Sequence, residues 1–151
     1  MKHPGLGFRR MESGDIDTVM LVEKQVYTHP WTKNIFEDCI QVGYDCWLAT
    51  IGHEVVGYGV ISVAAGESHI LNISVARAYQ SQGIGKQFIE FLVDIAKTKK
   101  AEVIMLEVRP SNVQAIHCYD AAGFNEIGCR KNYYPAGDGR EDALLFTRDI
   151  G

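Results

Sequence analysis

The chain has no long apolar run: nothing in its 151 residues approaches the ~18 needed for a membrane-spanning helix. Residues 1–10 lack the apolar centre of a secretion signal, so a cytoplasmic location is the default expectation. Positive charge is not in excess. Fifteen Lys and Arg face nineteen Asp and Glu, a formal net charge of −4, which argues against non-specific nucleic-acid binding. Cysteine is sparse and unpaired in pattern. Cys39, Cys46, Cys118 and Cys129 form no C-x-x-C pair, and the five histidines show no metal spacing, so no metal site is expected. Repeats, low-complexity tracts and long linkers are also missing, which leaves a single domain over 1–151 as the simplest organisation.

What is present has the periodicity of an α/β or α+β protein. A first strand is expected at 7–11. Ser13 is placed to cap a helix through about Gln25, with Ile16, Val19, Met20 and Val22 on its apolar side. Pro30 breaks that helix, and Thr32 caps a second one carrying Ile35, Phe36, Cys39 and Ile40. Two β-rich runs, 46–51 and 55–63, flank Gly52-His53 as a hairpin, and Gly66 marks a turn before a strand at 68–75. A helix over 87–97, with Ile84, Phe88, Phe91, Leu92 and Ile95 in one stripe, precedes a buried strand at 103–108. Ser111 to Gln114 fits a capping box that opens a helix to about Ala122, with Gly123 as its C-cap. Strands near 126–133 and 143–148 complete one mixed sheet with helices packed on it.

The most informative run is Gln80-Ser81-Gln82-Gly83-Ile84-Gly85-Lys86, between a strand and a helix. Backbone N–H groups at a helix N-terminus, with the positive end of the helix dipole, suit phosphate oxygens. The run is neither a Walker A loop nor a dinucleotide fingerprint, since it lacks the upstream glycine of the first and the third glycine of the second. Glu107 lies inside the apolar run Met105-Leu106-Glu107-Val108, where an acid needs explaining. Cys118 is a candidate nucleophile, but its neighbour His117 points to a different side of a helix.

Gln80-x-x-Gly83-x-Gly85 resembles the acetyl-CoA loop of the GCN5-related N-acetyltransferase (GNAT) superfamily. The segments 106–109, Ser111-Asn112, Ala115-Ile116, Tyr119, Gly123-Phe124, 130–135 and 139–143 are similar to its RimI-type group, bacterial enzymes that acetylate the N-terminal alanine of a small-subunit ribosomal protein. The resemblance runs from about Asp15 to Phe146. It implies a mixed central sheet flanked by about four helices, with parallel strands that splay at the cofactor site. It implies that Ile73, Ser74 and Val75 address the pantetheine arm, with the Val75 N–H toward the oxyanion. Ser81, Gln82, Gly83, Ile84, Gly85 and Lys86 would wrap the pyrophosphate, and Asn112 would add a cofactor contact. Glu107 matches the general base, with Glu67 as a second candidate, and Tyr119 the general acid. Pro30, Trp31, Tyr133 and Tyr134 would flank the acceptor. Acetyl-CoA is the implied cosubstrate, without a metal, and the N-terminus of a ribosomal protein the implied partner. A tRNA-modification complex as a further partner is left open, as are a small-molecule amine acceptor and a non-catalytic acetyl-CoA-binding role. The loop departs from the family in Ser81 and Lys86, where arginines are frequent.

Overall fold

A computed structural model describes residues 5–137 and 139–151. Its strands lie in one mixed seven-stranded sheet of order β1-β2-β3-β4-β5-β7-β6. The chain divides into two compact units, one of residues 1–62 and 71–88, the other of 63–70 and 89–151.

The first unit holds β1 (Leu6–Arg10), a 3-10 turn at Ser13–Asp15, α1 (Ile16–Val26), α2 (Lys33–Gln41), β2 (Asp45–Ile51), most of β3 (Glu54–Ala64), the second half of β4 (Glu67–Val75) and the first turns of α3 (Ile84–Thr98). β1 to β3 pair antiparallel, with a bulge at Ala49/Thr50. The apolar stripe of α1 and the centre of α2 pack on the sheet through Ile16, Val19, Met20, Phe36, Leu48, Tyr58 and Val60. Trp31, Phe36 and Tyr58 stack in sequence, with centroids 5.1 Å and 5.7 Å apart. Thr32 caps α2 as expected, its side chain accepting from the Ile35 N–H at 3.3 Å.

The second unit contains the start of β4, the rest of α3, β5 (Val103–Val108), α4 (Val113–Ala121), β6 (Asn125–Ala136) and β7 (Gly139–Asp149). The parallel β4–β5 ladder joins Glu67–Ile70 to Val103–Leu106, and both strands run on beyond its last pair. β5 is flanked on its other side by antiparallel β7, so Ile104, Leu106 and Val108 are buried on one face.

Local departures have local causes. The α4 cap is Asn112, whose Oδ1 accepts from Ala115 N–H at 3.3 Å; the capping box expected from Ser111 is displaced by one residue. Helix α3 begins at Ile84 rather than Gln87, directly after Gly83 (φ +81°), so Gly85 and Lys86 are already in its first turn. β6 and β7 are longer than expected, running on to Ala136 and starting already at Gly139.

Candidate active site

In the first unit, β4 carries Ile73, Ser74 and Val75 to the chain segment that leads into α3. Tyr27 fastens this strand from α1. Its hydroxyl donates to the Ile73 carbonyl at 3.0 Å and accepts from Ser74 Oγ at 3.0 Å. Burial pushes the Tyr27 phenol up to about 12, so it stays protonated and able to donate. Gln80 then folds back and donates through Nε2 to the Val75 carbonyl at 2.9 Å. Ser81 takes a left-handed conformation at φ +64°, which a non-glycine residue adopts only under restraint. The chain thus turns sharply into α3, whose first N–H groups have no partner within the helix. An exposed Ser81, Gln82, Gly83 and Lys86 at such a terminus fit phosphate oxygens.

In the second unit, Glu107 projects from β5 with its side chain only 10% exposed. Its Oε1 lies 3.2 Å from His69 Nε2 of β4. Its Oε2 is buried without a hydrogen-bond partner, and Arg130 Nε of β6 is 3.7 Å away, an ion-pair rather than a hydrogen-bond distance. The carboxylate therefore keeps a lone pair for another donor. Burial holds the His69 imidazole below its ordinary value, with Glu107 opposing and Arg130 reinforcing the shift. At neutral pH His69 is uncharged.

This gives a stability prediction. As pH falls below the ordinary imidazole value of about 6.5, the unfolded chain takes up the proton before the folded one. The contribution of His69 is complete above that value and is lost as pH falls through the lower, folded value. Denaturant titrations from about pH 7.5 to about pH 5 are expected to show a smaller loss in His69→Gln than in the wild type. The lowered carboxylates of Asp15, Glu141 and Asp142 act at lower pH, outside this window.

Tyr119 lies on α4, half-buried, with its ring 6.0 Å from that of Phe124. Asn112 heads the same helix and commits Oδ1 to its cap. Beside them, β6 carries an irregularity: Arg130 pairs with Ala143 and Tyr134 with Glu141, so three residues of β6 oppose Asp142 alone. Asp142 accepts the Asn132 N–H at 2.9 Å and the Lys131 ammonium at 3.2 Å. Arg140 donates to the Asn132 and Tyr133 carbonyls at 3.1 Å and 2.9 Å. Glu141 accepts the Ser111 N–H at 2.9 Å and pairs with Arg109, which lies over the Tyr134 ring at 4.4 Å. The Gly139-Arg140-Glu141-Asp142 segment is thus the brace that sets Tyr133 and Tyr134.

The residues singled out from sequence divide between the units: Pro30, Trp31, Ile73 to Val75 and Ser81 to Lys86 in the first, Glu107, Asn112, Tyr119, Tyr133 and Tyr134 in the second. Glu67 is exposed and pairs with Val103, four residues along β5 from Glu107, or about 13 Å of strand. His69, which has no metal spacing in the sequence, touches Glu107. Among the described residues no group of three or more His, Cys, Asp or Glu is placed to hold a metal ion, and no helix is long and apolar enough to cross a membrane.

The chain is 33% identical over 140 residues to the [ribosomal protein bS18]-alanine N-acetyltransferase of Escherichia coli K12, covering 93% of this chain and 95% of that protein. The corresponding protein of Salmonella typhimurium is 30% identical over the same shares. The crystal structure of the Escherichia coli ribosomal-protein-S18-alanine N-acetyltransferase superposes with a TM-score of 0.89 at 32% identity, over 97% of this chain and 94% of that one. Ard1 from Thermoplasma volcanium, 23% identical, shares the fold with a TM-score of 0.88, over 97% and 99% of the two chains. Residues 16–124 match the family described as the Acetyltransferase (GNAT) family, and the chain belongs to it.

Proposed function

We propose that this acetyltransferase, read as one catalytic domain over residues 1–151, moves the acetyl group of acetyl-CoA to the α-amine of an N-terminal alanine on a small-subunit ribosomal protein. The observation that carries the reading is the Glu107 carboxylate: nearly buried in β5, with Oε2 lacking a hydrogen-bond partner. Two relatives at 30% identity or more, named for this acceptor, support it.

The chemistry follows from the groups. The attacking amine must be neutral. An α-amine has a reference pKa near 7.7–8, whereas a lysine side chain near 10.4 would need about 3.5 kcal/mol more to reach that state at the same pH. Glu107, directly or through a water, takes the proton as the amine attacks. Acetyl-CoA supplies the activated thioester. The Val75 N–H serves the oxyanion, and Ser81 to Lys86, with Asn112, hold the phosphate-bearing end. Tyr119 donates to the departing thiolate, since the reference pKa of a phenol, near 10, lies above that of a thiol, near 8.5. Pro30, Trp31, Tyr133 and Tyr134 border the acceptor.

The test uses acetyl-CoA with a peptide bearing a free N-terminal alanine, the same peptide blocked at its N-terminus, and a free polyamine. Transfer to the free alanine peptide alone is the expected result. Equal rates on the blocked peptide, or preference for the polyamine, would refute the α-amine assignment.

A further inference from the structure

The first unit buries the carboxylate of Glu23, which the chemistry above does not use. Glu23 of α1 is 1% exposed. Its Oε1 accepts the Tyr58 hydroxyl of β3 and, at 3.0 Å, Asn72 Nδ2 of β4. Its Oε2 accepts the backbone N–H of Trp31 at 2.8 Å. All three donors are neutral. The Tyr58 phenol is pushed well up, first by burial and then by the Glu23 charge, so it remains a donor.

A buried carboxylate carries a large desolvation penalty, and well-packed apolar residues often serve stability as well or better. What Glu23 does and an apolar residue cannot is bind three separate segments at fixed points. One is the α1–α2 connection that presents Pro30 and Trp31. Another is β4 at Asn72, immediately before Ile73 to Val75. Tyr27, four residues further along from Glu23, grips the same strand at Ile73 and Ser74. The two sets of contacts leave that face of β4 little freedom.

We propose that Glu23 is a positioning residue that locks the Pro30-Trp31 connection to the cofactor-facing strand, so that acceptor and acetyl-CoA binding depend on one buried charge. It rests on the reading of Pro30-Trp31 as the acceptor side. A carboxylate offers acceptors on both oxygens. Glutamine would set an amide N–H₂ against a donor, and leucine would leave all three donors without a partner.

The experiment compares Glu23→Gln, Glu23→Leu and Tyr58→Phe in a Trp47→Phe background, which leaves Trp31 as the reporting tryptophan. Trp31 emission and its acrylamide quenching, coenzyme A binding by calorimetry, and acceptor KM and kcat are read on the folded proteins. Red-shifted, more quenchable emission is expected, together with a rise on the order of tenfold in both the coenzyme A dissociation constant and acceptor KM, and a smaller change in kcat. Tyr58→Phe, which removes one donor and keeps the ring, is expected to move each quantity part of the way, and it carries the test if the Glu23 variants fail to fold. Unchanged quenching and coenzyme A affinity in every folded variant would overturn the lock. Looser Trp31 with unchanged acceptor KM would leave the lock standing and refute the acceptor-side reading.

Discussion

Glu107→Gln is expected to lower kcat/KM for an alanine-initiated peptide by about 10²–10⁴-fold. The substitution keeps the shape of the side chain and removes its capacity to take a proton. Glutamine can still occupy the slot between His69 and Arg130, so the backbone of β5 has no reason to move. Acetyl-CoA affinity is expected to stay within about twofold of wild type, because a defect confined to proton transfer appears in the rate and not in cofactor binding. Steady-state kinetics beside coenzyme A calorimetry separate the two. A fall of less than about threefold in rate would remove Glu107 from the base role. A matching collapse in coenzyme A binding would mean that its work is structural.

The second large effect is expected at Gly57. A methyl group built on this residue of β3 would sit 2.6 Å from the backbone carbonyl oxygen of Ser74, closer than real Cβ atoms come to anything. Ser74 belongs to the part of β4 that the family resemblance assigns to pantetheine, so relief of the clash has to displace that strand or β3. Gly57→Ala is expected to cost about 1–3 kcal/mol of stability by overpacking. For a chain of this size that lowers the melting temperature by about 2–12 °C. Coenzyme A binding should weaken with it. Gly7→Ala is the control: its added Cβ would meet only Thr50 Oγ1 at 3.6 Å, an ordinary contact, and the backbone has no positive φ. Equal melting temperatures for the two variants would show that the close approach at Gly57 is absorbed without strain.

Most of the architecture could be read from spacing. The β5 run at Val103–Val108 was visible as a short apolar segment, and Glu107 stood out there because an acid interrupts it. The same kind of signal is present for Glu23. Ile16, Met20 and Glu23 fall at helical spacing on the apolar stripe of α1, so the acid had to be buried. His69 was testable in the same way. Period-two alternation puts it on the β4 face of Leu71 and Ile73, away from the buried Ser68 and Ile70. Metal spacing does not reveal its role, because its partner, Glu107, stands on the next strand. The left-handed Ser81 had no local sequence signal, because serine rarely takes such a conformation, and in β6 the one local hint, Asn132 at φ +54°, does not reveal a bulge that depends on Asp142 and Arg140 from another strand. One-residue errors, such as Ser111 for Asn112 as the α4 cap, come from two good capping residues standing side by side.

The swelling in β6 has a consequence for how this enzyme could be retuned. Arg140 grips main-chain carbonyls there, and Asp142 holds the backbone at Asn132. Scaffolding of that kind is largely indifferent to which side chain stands at Tyr133. A library randomised at that position, with Arg140 and Asp142 held constant, would vary the exposed surface at Tyr133 on an unchanged frame, much as fingertips can be exchanged on a fixed hand.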